Sequence, residues 1–218
     1  MTFPNGPRLL HGGIVLVDPS SGQVIRVIAL QYNPDTLTRT LQPQAMTGDS
    51  QDRSQALRLK GPPVETIKLD AEIDATDQLE TPDQNPTAVQ FGIAPQLASL
   101  ELLLYPTSGA LVVNNGLQSS GTLEITPVET PLALFVWSSQ RVVPIRVTDF
   151  SITEEAFDAS LNPTRAKVSM TLRVLSVDDL GFDHKGGNLY LIYQQNKERL
   201  AQTASGGALP ELGLTGIP

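Results

Sequence analysis

The 218-residue sequence predicts a mainly β, α+β domain: an antiparallel β-barrel or sandwich with one packed helix and a C-terminal helical extension. Three observations carry this. Residues 64 to 75 alternate without a break, with Ile67, Leu69, Ala71 and Ile73 on one face and Lys68, Asp70, Glu72 and Asp74 on the other, the period of a half-buried strand. Residues 162 to 176 repeat the pattern, with Ala166, Val168, Met170, Leu172 and Val174 set against Lys167, Ser169, Thr171 and Arg173. The order is strands, one helical stretch, then strands, which fits an antiparallel sheet closed or doubled over a single helix.

Taken in order, residues 13 to 18 and 24 to 31 are β-branched runs separated by Pro19, Ser20, Ser21 and Gly22, which reads as a hairpin with a short glycine-containing loop. After Asp35 the pattern weakens, and residues 42 to 63, with Pro43, Gly48, Gly61, Pro62 and Pro63, read as one long loop of the kind that is functional or ordered by binding. Asn85 followed by Pro86 is a helix start, and Ile93, Leu97, Leu100 and Leu104 recur at helical spacing, with Pro95 restarting the helix. Residues 132 to 137, 141 to 153 and 162 to 176 are the closing strands. From Asp178 the character changes: a polar loop runs to Gly187, and residues 188 to 201 form an amphipathic helix with Leu189, Ile192, Tyr193 and Leu200 apolar. Residues 202 to 218 are small and almost uncharged, an attachment tail. The chain therefore divides into a β domain, residues 1 to 177, and a helical extension with tail, residues 178 to 218.

Bulk properties exclude several functions. A net charge of −8, with no run of Lys or Arg, argues against nucleic acid. No cysteine is present, so disulfides, thiolate zinc sites and a cysteine nucleophile are excluded. The first 13 residues lack the charged start and apolar run of a secretory signal, and no uninterrupted apolar stretch of about 18 residues exists to span a membrane. Synthesis in the cytoplasm, without a signal peptide or membrane insertion, is the expectation. Charged residues make up only 17% of the chain, which fits either a surface partly covered by partners or one rich in Ser, Thr, Gln and Asn.

Candidate chemistry is sparse. His11 and His184 lie in loops, away from any nucleophile-elbow motif. Asp178, Asp179, Asp183 and His184 lack the alternating spacing of a calcium loop. Glu154 and Glu155 are adjacent on a strand and point to opposite faces, so they cannot flank one glycosidic bond. No glycine-rich loop leads into a basic helix start. Trp137 ends an apolar strand, where a core or interface aromatic is expected and sugar stacking is the lesser alternative. No catalytic residue, metal or cofactor is expected, and the chain is read as a non-enzyme.

The ordering of motifs says more than any single residue. Leu30, Gln31, Tyr32, Asn33 and Pro34, after two opening strands, resemble the aromatic-Asn-Pro turn of contractile injection system tube-family proteins. The strands around Trp137, the run from Arg141 through Phe157, and Leu161, Asn162, Pro163 and Thr164 resemble that family's closing strands. The branch most similar is the baseplate adaptor, or tube initiator, related to LysM-containing baseplate proteins of phage tail-like particles. The resemblance implies a tail-tube-like fold and a structural subunit forming a sixfold ring. It also implies partners: the inner tube protein, the spike or hub protein, and sheath-proximal baseplate wedge proteins. Interface residues expected on this basis are Tyr32, Asn33, Pro34, Trp137, Phe157, Asn162, Pro163, Leu189, Tyr190 and Tyr193. The departure from the family is that the segment after residue 177 is too short for a full LysM module, with the Leu189 to Tyr193 stretch as a shortened docking helix. A carbohydrate- or wall-binding module using Trp137 and that aromatic helix is the competing expectation, and a hydrolase the third.

Overall fold

The computed structural model describes residues 10–45, 58–119, 130–204 and 206–217. Gly13–Val17 (β1) and Val24–Ala29 (β2) form the opening hairpin, Leu37–Gln42 (β3) and Val64–Asp74 (β4) a second, and Leu132–Ser138 (β5), Arg141–Phe157 (β6) and Pro163–Val174 (β7) a closing meander. All seven belong to one antiparallel sheet in the order β2-β1-β5-β6-β7-β4-β3. The fold is thus mainly antiparallel sheet with several helices.

Local chemistry explains the turns. In the first hairpin the Asp18 carboxylate accepts from the Ser20 and Ser21 amides and from the Ser21 hydroxyl, while Gly22 takes the positive φ of 70° that returns the chain to β2. Between β6 and β7 the Asp158 carboxylate accepts from the Ser160 and Asn162 amides and from the Asn162 side chain.

The sheet curls so far that its first and last strands share one core. Ile14 and Ile28 from the opening hairpin lie in the same buried cluster as Ile67, Leu69 and Ala71 of β4 and Val168, Met170 and Leu172 of β7. Each of the larger side chains among them, fully buried, contributes about 1.5–3 kcal/mol of transfer free energy, and the Ala71 methyl less. Helices stop the two mouths of this curl. Lys185–Thr203 (α6) crosses the mouth where β4 begins, burying Tyr190 and Tyr193. At the opposite mouth Thr76–Leu79 (α1), Pro86–Phe91 (α2) and Ala94–Glu101 (α3) bring Ile93, Leu97 and Leu100 into the core, and the Ile93 amide donates to the Pro163 carbonyl at 2.8 Å. A smaller cluster, Val17, Leu132 and Leu134, lies under Leu180 of Val177–Leu180 (α5) and Leu189 of α6.

Several expectations are corrected. The sheet is not a closed barrel: among the described residues no ladder joins β2 to β3 or β4, although the curl leaves the doubled-over, sandwich-like core intact. The single packed helix is two, α2 and α3, because Gly92 adopts φ 57° and its Cα packs against the Pro163 carbonyl, a geometry that interrupts the helix before Pro95. A further helix, Ser108–Ser119 (α4), follows them, in a stretch to which the sequence reading assigns no element. The loop expected over residues 42 to 63 follows a strand, β3, whose continuation is pinned by an Ala45–Leu59 bridge; the rest of that loop, residues 46–57, lies outside the described residues. Tyr190 and Tyr193 join the main core, so α6 packs as part of the β domain's interior, and the exposed tail begins after it.

Candidate assembly interface

An antiparallel strand bonds to its two neighbours through alternate residues, so one observed bond fixes which residues face outward. The Ala75 amide donates to Thr164 at 2.9 Å, in register with the β4–β7 ladder, so odd-numbered β4 residues bond β7 and even-numbered ones turn to the other side. There β3 pairs with residues 64 to 69 only. Among the described residues no strand consequently pairs with the backbone of Asp70 and Glu72, and on β3 the residues left facing outward are Leu37, Arg39 and Leu41. Likewise β5 pairs with β6 only through Ile145, leaving residues 146 to 157 of β6 with one open edge. Within the four strands β6-β7-β4-β3, both outer edges are therefore left open by the described residues.

The last opening lies between β2 and the upper half of β4. Leu30 donates to Gly12 at 2.9 Å, in register with the β1–β2 ladder, which turns the backbone of Val27 and Ala29 away from β1. Here the gap is bridged by a side chain: the Gln31 amide donates to the Asp74 carbonyl at 2.6 Å and accepts from the Asp74 amide at 3.0 Å, the two bonds a paired strand residue would make. Asn33 does the same for the first residues, donating to the Leu10 carbonyl and accepting from the Gly12 amide, both at 2.8 Å.

A buried ionic cluster fixes α6 to this sheet. Glu65, 1% exposed, accepts from Arg39 at 2.7 Å, from the Tyr193 hydroxyl at 2.9 Å and from Lys197 at 3.3 Å. Burial pushes its carboxyl up, but the Arg39 hydrogen bond and the Lys197 and Arg39 charges outweigh it and leave it below the usual glutamate value. The Tyr193 phenol is driven far up by burial and by the Glu65 charge. The cluster ties β3, β4 and α6 together.

The residues singled out from sequence fall into two groups. Tyr32, Phe157 and Leu161 are exposed, the last two beside Asn162 and Pro163 in the β6–β7 turn. Asn33 is spent on the backbone of residues 10 to 12, and Asn162 on Asp158 and the Gln90 carbonyl. Pro34 lines a surface cleft with Tyr32 and Glu72. Pro163 receives the Ile93 amide and sits on Gly92. Trp137 stacks on Phe135 with centroids 5.9 Å apart and packs its six-membered ring on Gly12, while Leu189 packs on the smaller cluster. Tyr190 and Tyr193 face inward. Sequence reasoning missed Glu65, Arg39, Gln31 and Lys197; a glutamate in phase with Ile67, Leu69 and Ala71 was the available signal.

Three of the candidate chemical groups are in structural use. His184 caps α6, its Nδ1 accepting from the Gly186 amide; Asp179 binds Ser176 and Arg173; Glu155 faces Lys167 at 3.4 Å. Among the described residues no group of three or more His, Asp or Glu is arranged to hold a metal ion, and no helix is long and apolar enough to cross a membrane. No known family model matches the chain, and no curated protein matches it either.

Proposed function

We propose that the chain is a structural, non-enzymatic baseplate subunit of a contractile injection system, a ring-forming adaptor that joins the inner tube to the spike or hub and to the surrounding wedge proteins. One observation carries the reading beyond the motif resemblance. The sheet β6-β7-β4-β3 ends in two different open edges, β3 on one side and residues 146 to 157 of β6 on the other. Two unlike edges on opposite sides permit a head-to-tail contact, the kind of contact from which a ring is built when its rotation closes. The exposed Tyr32 and Phe157 then lie beside these edges as contact residues for neighbours or other subunits.

The test uses Leu41→Pro. Leu41 is 45% exposed and its backbone faces away from β4, so the substitution removes an outward N–H while sparing the β3–β4 ladder. Native mass measurement of the complex in producing cells should find the unaltered chain in a ring that co-purifies with tube and sheath subunits, and the Pro variant folded but outside it. Correctly tipped tubes in particles made without this chain would sink the proposal.

A further inference from the structure

The opening between β2 and β4 is a groove lined by backbone and side-chain groups that could meet an added strand. It is a groove of about 260 Å³ walled by Val27 and Ala29 on β2 and Glu72 on β4, floored by Gln78, Gln96 and Leu100 from α1 and α3. Along one wall the Val27 and Ala29 backbone groups point into open space, and Gln31 closes the end by supplying a side-chain amide where a strand would supply a peptide. In the floor the Gln96 Oε1 is buried with no hydrogen-bond donor among the described residues. A buried acceptor without a donor costs about 1–3 kcal/mol, and a peptide N–H is a donor that would satisfy it. The neighbouring face of β2 is apolar: Val24, Ile25 and Val27 are 61%, 55% and 63% exposed. An uncapped apolar edge strand is a template for strand addition.

The same chain carries an exposed segment of matching character, whose one short helical turn, Leu209–Leu212, must open for it to extend. Every described residue from 206 to 217 is exposed, the segment's backbone hydrogen bonds stay within it, and Leu209, Leu212, Leu214 and Ile217 project from it. Its single charge is Glu211. The rim of the groove carries a single guanidinium, Arg26, whose Nη1 reaches Ser99 at 3.4 Å. Among the described residues neither Arg26 nor Glu211 has a partner of opposite charge. The residues after α6, extended, reach about 40 Å at 3.3 Å each, far enough to leave one molecule and enter another.

We infer that the 206–217 segment of one copy adds as a strand to the β2 edge of a second copy, with Leu212 or Leu214 against Val27 and Glu211 at Arg26. This requires only a second copy of the chain, and holds or fails independently of membership in a baseplate. Because the slot and the segment are different surfaces of one molecule, the contact is head-to-tail.

The absence of cysteine makes a clean test. Full-length Val27→Cys chain is mixed with full-length Leu214→Cys chain and oxidised, and products are resolved on a non-reducing gel. The expected result is a disulfide-linked heterodimer, formed at least tenfold more than in a control mixture of Leu214→Cys with Ser160→Cys, a turn residue remote from the groove. Arg26→Glu in the first chain should lower the yield about threefold, and Glu211→Arg in the second should restore it. Equal cross-linking to Ser160→Cys, no cross-link up to the highest soluble concentration, or an intrachain disulfide in the Val27→Cys/Leu214→Cys double variant without one in the mixture would each overturn the inference.

Discussion

Replacing Glu65 by Gln keeps the side chain's shape and removes its charge, so it isolates the ionic part of the cluster that ties α6 to the sheet. The carboxylate is 1% exposed, whereas the Arg39 and Lys197 side chains are 27% and 31% exposed. A fully buried ion left without its partner costs about 3–5 kcal/mol. Arg39 and Lys197 can turn partly to water, and the Tyr193 hydroxyl can still donate to the amide oxygen. Two charge-assisted bonds of about 1.5–3 kcal/mol each, offset by that rehydration, leave a loss of about 2–3 kcal/mol. Urea unfolding followed by the fluorescence of the single tryptophan, Trp137, reads this directly. With m near the upper part of the usual range of about 1–3 kcal/mol per molar, the midpoint should fall by about 1 M. The pH dependence provides the sign. Glu65 has a folded value lowered from 4.5, so the stability it contributes is present above 4.5 and is lost as pH falls through the lower folded value. The gap between wild type and Glu65→Gln should therefore be constant near neutrality and close in acid below pH 4.5. A neutral-pH loss under 0.5 kcal/mol, or a gap that widens in acid, would refute the argument that the charge holds α6 in place.

Two further substitutions test the other structural joints. Gln31→Met removes both bonds across the β2–β4 opening, at a cost of about 1–2 kcal/mol, and should raise amide exchange at Asp74 while leaving Ala71, bonded to β7, protected; equal protection at Asp74 in both proteins would remove Gln31 from that role. Gly92→Ala drives a Cβ into the Pro163 carbonyl at φ 57°, and should cost about 3 kcal/mol or more, against about 1–2 kcal/mol for Gly181→Ala, where φ is 74° and nothing lies within 4 Å; similar melting temperatures for the two variants would contradict it.

Those joints also mark where the sequence stops being legible. Strands β4 and β7 are readable because their inward positions are almost uniformly apolar, and both hairpins of the sheet's middle follow from them. Strand β3 is not, because Arg39 stands between Leu37 and Leu41 on its inward side and breaks the period. The arginine is tolerated there because it reaches diagonally to Glu65, the next inward position of β4 along from its register partner Ile67. Each residue reads alone as a surface charge; together they are one buried pair, which only the pairing register reveals. The split between α2 and α3 turns on Gly92 meeting a carbonyl more than 70 residues away in sequence, which helical periodicity does not encode. The interface residues fare unevenly for a related reason: aromatic character marks Tyr190 and Tyr193 as contact formers without saying whether the contact lies inside the chain or outside it, and here it lies inside.

The open edges differ in how they are guarded, and this separates their roles. Residues 146 to 157 of β6 carry Arg146, Asp149, Glu154 and Glu155, whereas the one charge of β3, Arg39, is taken up by Glu65; charges on an edge disfavour indiscriminate pairing yet leave the backbone able to meet a partner of complementary charge. Strand β2 has no such guard at Val24, Ile25 and Val27, and its one charge, Arg26, reaches toward α3. An unguarded apolar edge is tolerable in solution only if something covers it or if it is short, and β2 is six residues long, with Gln31 limiting how far a ladder can extend. The charged β6 edge thus suits a contact selected by its partner, and the apolar edge suits a segment delivered at high local concentration. The exposed residues after α6 are tethered to the sheet, so every copy that joins an assembly through its other edges brings such a segment with it.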